Sequence, residues 1–117
     1  MQLDIFKKAV NRLEEATLQE KNDFIRDSVI QRFEFSVELA WKTAKKSMGV
    51  ATAAPKDVVR EMAQSGYIDD VQLWLEAIDM RNLSSHTYKE ELAEKVYHFA
   101  CAFLPSLQRL IARLESK

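Results

Sequence analysis

The chain has 117 residues, of which 47 % are hydrophobic and 30 % charged, a balance that suits one compact domain. Its two glycines and two prolines are too few for the turns of an all-β sandwich or barrel, and no apolar run reaches the roughly 18–20 residues of a membrane span. A net charge of −1 means that any nucleic-acid contact must come from a local patch.

The first element starts in MQLDIFKKAV, which lacks the sustained apolar run of a secretory signal. Leu3, Phe6, Val10 and Leu13 recur at helical spacing. This helix runs out at Gln19-Glu20-Lys21-Asn22-Asp23, where Asn22 or Asp23 can cap the next. The second helix is expected to reach Met48 and stop at Gly49, a residue suited to the left-handed position past a helix end. Pro55 opens a short third helix, and Gly66 closes it. Asp69 is expected to cap a fourth helix, with Gln72 completing a capping box. That helix carries Val71, Trp74, Leu75 and Ile78 towards Met80 and Arg81. Thr87-Tyr88-Lys89-Glu90 reads as a second capping box starting the last long helix, with Tyr88 in its first helical position. Pro105 lies inside that helix and should kink or split it. A single cysteine, Cys101, forms no intramolecular disulfide and fits a reducing compartment. The expectation is a soluble, cytoplasmic, all-α protein: an antiparallel four-helix-type bundle with an extra short helix, forming one domain over residues 1–117.

Helix two has a wide apolar arc. Val29, Phe33, Val37, Ala40 and Trp41 form one stripe, and Ile25, Phe35 and Leu39 extend it past half the circumference. Asp27, Gln31, Glu34, Glu38 and Lys45 make a narrow polar strip. Two readings account for this: a helix central to its own bundle, or a face near Phe35 and Leu39 that meets a second copy of the chain as a homodimer. Arg32 falls within the arc, an expensive place for a cation unless it is paired or meets a ligand, which makes it a candidate phosphate contact.

The densest polar chemistry is Arg81-Asn82-Leu83-Ser84-Ser85-His86-Thr87-Tyr88. A break between the fourth and last helices lets Arg81, His86 and the N–H groups of a helix start converge on one anion such as a phosphate. His86 can also take and give protons near neutral pH. The bland readings are a capping arginine, ordinary turn serines and a loop histidine. His98 has no companion ligands: Leu83 and Lys95 stand where the Glu-x-x-His pairs of a di-iron bundle would need glutamate. Cys101 is expected in the core. Lys42, Lys45, Lys46, Lys56 and Arg60 form a local basic patch, read as a solvated face or an RNA guide. A helix-turn-helix around Gly66 is disfavoured, because Asp69, Asp70, Glu76 and Asp79 on its second helix would repel a phosphate backbone. No specific DNA binding is therefore expected.

Arg81-x4-His86-x-Tyr88, together with Arg32-Phe33-Glu34-Phe35 and Glu38-Leu39-Ala40-Trp41-Lys42, resembles the HEPN superfamily and within it the HepT branch, the nucleotidyltransferase substrate-binding proteins. The resemblance spans nearly the whole chain, through Pro55, Arg60 and Gly66. It implies a HEPN-like helical bundle that dimerises, bringing two Arg–His motifs into one cleft. It further implies a metal-independent endoribonuclease toxin that uses no cofactor. The antitoxin would be a separately encoded minimal nucleotidyltransferase that attaches AMP to the motif tyrosine. On this resemblance Arg81 holds the scissile phosphate, His86 transfers the proton, and Tyr88 is the modification site. Asn82 is a neighbour placed to orient the phosphate. Two alternatives stand beside the toxin: a non-catalytic substrate-binding subunit of a two-component nucleotidyltransferase, and a helical interaction module. No two aspartates stand two apart, so the chain lacks the Asp-x-Asp of a transferase.

Overall fold

The computed structural model describes residues 2–117. Among them lie five α-helices and one 3₁₀ turn, in the order α1 Gln2–Thr17, α2 Asp23–Met48, α3 Pro55–Gln64, α4 Val71–Leu83, the 3₁₀ turn Ser84–His86, and α5 Glu90–Ser116. The long axis of 39 Å is set by α2 and α5, whose 26 and 27 residues each rise ~1.5 Å per residue. Among the described residues no helix is long and apolar enough to cross a membrane.

Helix ends follow local chemistry. The Asn22 side chain accepts from the Ile25 N–H at 2.8 Å and caps α2. Gly49, at φ +70°, donates its N–H to the Lys45 carbonyl and ends the helix in the left-handed conformation. Past α3, Gly66 at φ +79° allows Gly66 N–H to reach Ala63 O and Tyr67 N–H to reach Met62 O, the paired bonds of a Schellman turn.

Two cap assignments shift. Asp70, not Asp69, caps α4, accepting from the Leu73 N–H at 3.0 Å. Asp69 is taken by α5, accepting from Arg113 Nη2 at 2.6 Å. Either aspartate could cap by residue type; the tertiary partner decides between them. The expected Thr87 capping box does not form, because α5 begins at Glu90 with Lys89 as an N-cap that makes no side-chain bond. The Thr87 hydroxyl instead donates back to the Ser84 carbonyl at 3.3 Å, continuing the 3₁₀ turn. Tyr88 is consequently outside the helix. Pro105 does not split α5, which runs unbroken past it. Its side chain is exposed, and on the solvent side water can take the carbonyl that loses its N–H partner.

Helix α1 runs antiparallel to α2 and α5, with Lys7 meeting Glu115 and Glu14 meeting Gln108, while α2 and α5 run the same way with their N-terminal ends adjacent. The tie is Arg26, nearly buried on α2, which donates through Nη1 to Glu90 at 2.7 Å and Glu94 at 3.2 Å. Helix α2 touches every other helix, so the central-helix reading explains most of its apolar arc. Val29, Phe33, Val37, Ala40 and Trp41 are buried, but Phe35 remains 50 % exposed. An aromatic cluster locks α2, α4 and α5 together. Phe33 meets Phe99 and Phe103 edge-on at 5.8 and 6.3 Å, and Trp74 meets Phe103 at 4.7 Å.

Candidate functional site around the α4–α5 turn

The site begins with the buried face of α4. Trp74, Ala77, Ile78 and Met80 face the core, which fixes the rotation of the helix. Arg81 then emerges in the last turn on the flank facing α2. There its Nε donates to Glu38 Oε1 at 2.7 Å, with side chains 28 % and 27 % exposed. One turn earlier on α2, Glu34 holds the next turn of the motif. The buried Ser84 hydroxyl lies 2.5 Å from Glu34 Oε2 and 2.5 Å from the Arg81 carbonyl. Two carboxylates from successive turns of one helix therefore hold the α4–α5 connection at two points.

The rest of the motif faces solvent. Asn82, Ser85 and His86 are exposed, and Ser85 Oγ donates to the Asn82 carbonyl at 3.0 Å. Tyr88 is 79 % exposed, its ring edge-on to the His86 imidazole at 6.1 Å. The end of α4 and the tight turn after it thus carry Arg81, His86 and Tyr88 in succession. The α5 start brings its own acids: Glu90 and Glu91 lie in the first turn, and Glu90 is bonded to Arg26. These carboxylates oppose an anion at that helix end, so the donors for one are the Arg81 guanidinium and the His86 ring.

Arg32 does not join this turn within one chain. Its Nε donates to Ser28 Oγ at 3.0 Å, and it borders a groove between α1 and α2 with Arg12, Ile5, Phe35 and Leu39. The basic patch is largely paired: Lys56 with Asp79 at 2.8 Å, Arg60 with Asp57 at 3.1 Å, and Lys42 with Glu38 at 3.4 Å. His98 Nε2 sits 3.6 Å from Glu94 Oε1 on its own helix. Cys101 is half-buried at the core margin rather than inside it. It lies beside Tyr97, whose phenol is pushed above its ordinary pKa by burial, with Cys101 adding to the effect. Among the described residues no group of three or more His, Cys, Asp or Glu side chains is placed to hold a metal ion.

In sequence, Glu34 and Glu38 belong to the polar strip and the family motifs with no site role, and nothing singles out Arg26, which ties down the start of α5 beside the site. The two glutamates stand four apart on the polar strip of helix two, a spacing equally natural for a solvated face.

Residues 1–116 match the family described as nucleotidyltransferase substrate binding protein like. The chain belongs to that family. A probable ribonuclease HepT from Haemophilus influenzae is 33 % identical over 103 residues, which is 81 % of this chain and 70 % of the relative. A crystal structure from Thermus thermophilus superposes with a TM-score of 0.84 at 32 % identity, covering 93 % of this chain and 98 % of the other. A Haemophilus influenzae structure, solved as the fold of a substrate binding domain of a nucleotidyltransferase, gives 0.86 at 29 % identity, with 97 % and 98 % covered. The HepT branch to which Arg81-x4-His86-x-Tyr88 pointed is thus the family found, and the all-helical fold agrees with its solved members.

Proposed function

We propose that this member of the nucleotidyltransferase substrate-binding family is a metal-independent endoribonuclease, the toxin of a toxin–antitoxin pair. The observation that carries the reading is the turn itself. Arg81 is fixed at its Nε by Glu38, its terminal Nη groups remain for a phosphate, and His86 and Tyr88 stand exposed within seven residues. In this reading the guanidinium binds the scissile phosphodiester and stabilises the charge that develops on its oxygens. His86 acts as base toward the ribose 2′-hydroxyl or as acid toward the leaving oxygen. The 2′-oxygen attacks phosphorus, the bond to the 5′-oxygen breaks, and that oxygen takes a proton. The products are a 2′,3′-cyclic phosphate and a 5′-hydroxyl. No metal is needed, because arginine meets the charge and histidine moves the proton.

Two further parts belong to the proposal. The exposed apolar side chains of Ile5 and Phe35, with Leu39 beside them, form the face on which two copies pair, bringing two motifs into one cleft. The partner is a separately encoded minimal nucleotidyltransferase that attaches AMP to the Tyr88 hydroxyl. A phosphodiester there competes with RNA for Arg81 and repels the incoming backbone. The second reading, a non-catalytic substrate-binding subunit, draws on what the Haemophilus influenzae structure was solved as.

The test is cleavage of RNA by purified protein. His86→Ala is expected to lower the rate by at least roughly 100-fold, and Arg81→Ala by a similar factor, while His98→Ala and added chelator leave it unchanged. Undiminished cleavage by His86→Ala rules out the mechanism. An inactive wild type that accepts AMP on Tyr88, but not as Tyr88→Phe, favours the binding-subunit reading.

A further inference from the structure

Glu38 is placed to do more than balance a charge. Its Oε1 accepts from Arg81 Nε at 2.7 Å and lies 3.4 Å from Trp41 Nε1, while Oε2 lies 3.4 Å from Lys42 Nζ. Trp41 is buried, so its indole anchors the carboxylate to the core. Glu38 is therefore held from its own helix before Arg81 arrives from α4.

The atom used on Arg81 matters. A carboxylate that took both Nη groups would occupy the fork with which arginine binds phosphate. Contact through Nε leaves that fork without a protein acceptor among the described residues. A free arginine at a helix end samples many rotamers, and that freedom must be lost when substrate binds. Pairing at Nε removes it in advance.

We propose that Glu38 is a positioning residue for Arg81, orienting the guanidinium so that its two terminal nitrogens are presented to the scissile phosphate. The proposal rests on the ribonuclease reading above. It deepens that reading by assigning the α2 carboxylate as the element that sets the arginine's geometry. Glu34 holds Ser84 and thereby the backbone of the turn; Glu38 holds the side chain.

The experiment compares Glu38→Ala and Glu38→Gln with wild type, Arg81→Ala and His86→Ala. Two measurements are made: kcat and KM on a short RNA, and affinity for the same sequence made of 2′-O-methyl RNA, which lacks the attacking hydroxyl. Glu38→Ala should lower kcat roughly 10- to 100-fold, the scale of a misplaced catalytic group, with a much smaller change in KM. Glu38→Gln keeps an acceptor oxygen and should recover most of that loss. In 2′-O-methyl RNA binding, the small weakening that Glu38→Ala causes in the wild-type background should disappear in an Arg81→Ala protein, a coupling that a merely structural role would not produce. Should Glu38→Ala fail to fold by circular dichroism, Glu38→Asp, whose shorter side chain draws the carboxylate away from Arg81 Nε, takes its place in both measurements with the same outcomes expected. Wild-type kcat in a folded Glu38→Ala protein, beside inactive Arg81→Ala and His86→Ala, overturns the positioning role and leaves the ribonuclease reading standing. Full activity of Arg81→Ala and His86→Ala overturns the reading itself. Additive binding losses in the double variant also overturn the positioning role.

Discussion

Replacing Arg26 with alanine tests what holds the start of α5 in place beside the candidate site. Arg26 is 7 % exposed, and its guanidinium donates to Glu90 at 2.7 Å, Glu94 at 3.2 Å and, through Nε, Asp27 at 3.2 Å. These partners raise the arginine's pKa, the Glu90 hydrogen bond most, against the opposing effect of burial. A hydrogen bond to a charged group contributes about 1.5–3 kcal/mol at most, and surface partners reduce that to about 1 kcal/mol or less each. Glu90 is 72 % exposed and returns to water at little cost once Arg26 is gone. Desolvation of the arginine, relieved by the substitution, offsets part of the loss, while the packing of its apolar stem adds to it. The expected net cost is about 2 kcal/mol, which for a domain of this size lowers Tm by about 8 °C. Glu90→Ala should cost less, under about 1 kcal/mol, because Glu94 and the neighbouring aspartates remain to pair the buried cation. Urea denaturation with an unchanged slope is the assay, with amide exchange over residues 87–92 reporting local loosening. An Arg26→Ala protein within about 0.5 kcal/mol of wild type, within the ordinary range for surface substitutions, would refute the reasoning. A Glu90→Ala loss larger than that of Arg26→Ala would do the same.

Asp70→Ala should destabilise the protein by about 1 kcal/mol through loss of the α4 cap, and Asp69→Ala by less, since it breaks only an exposed pair with Arg113; equilibrium unfolding ranks the two, and the reverse order would contradict the cap assignment. Acid should weaken the fold through Glu94 and Asp69. Lys21 first, then Arg26, hold the Glu94 carboxyl below its ordinary pKa, and Arg113 does the same for Asp69. A folded-state pKa below the unfolded value gives stability that is present above the ordinary carboxylate range and lost as pH falls through the folded value. The urea midpoint should therefore drop between about pH 5 and pH 3, and less steeply in Glu94→Gln; an identical slope in that variant would rule out Glu94 as a source.

How much of this was legible before the fold depended on whether the signal was local. The ends of α2 and α3 could be read directly, because Asn22, Gly49, Pro55 and Gly66 act through their own backbone or the next few N–H groups. The motif Arg81-x4-His86-x-Tyr88 was legible for a different reason: its residue types and spacing mark a family, and the family match bears that out. Locally equivalent choices were not legible. Asp69 and Asp70 cap equally well by type, and only Arg113, 44 residues away in the chain, separates them. Thr87 has the residue type and spacing of a cap, but the 3₁₀ turn before it uses its hydroxyl and moves the start of α5 to Glu90. Pro105 signals a break, yet packing of Phe103, Leu104, Leu107 and Leu110 on both sides carries the helix through. Helix two's polar strip looked like a solvated edge until the fold brought α4 against it. Glu34 and Glu38 became site residues only by meeting Ser84 and Arg81, 50 and 43 positions later. Sequence alone determined which helices form and which turn carries the Arg81–His86–Tyr88 motif, because both rest on contacts within a few residues. The tertiary structure decided which carboxylates hold that turn, because an ion pair between distant helices leaves no periodic trace in the chain.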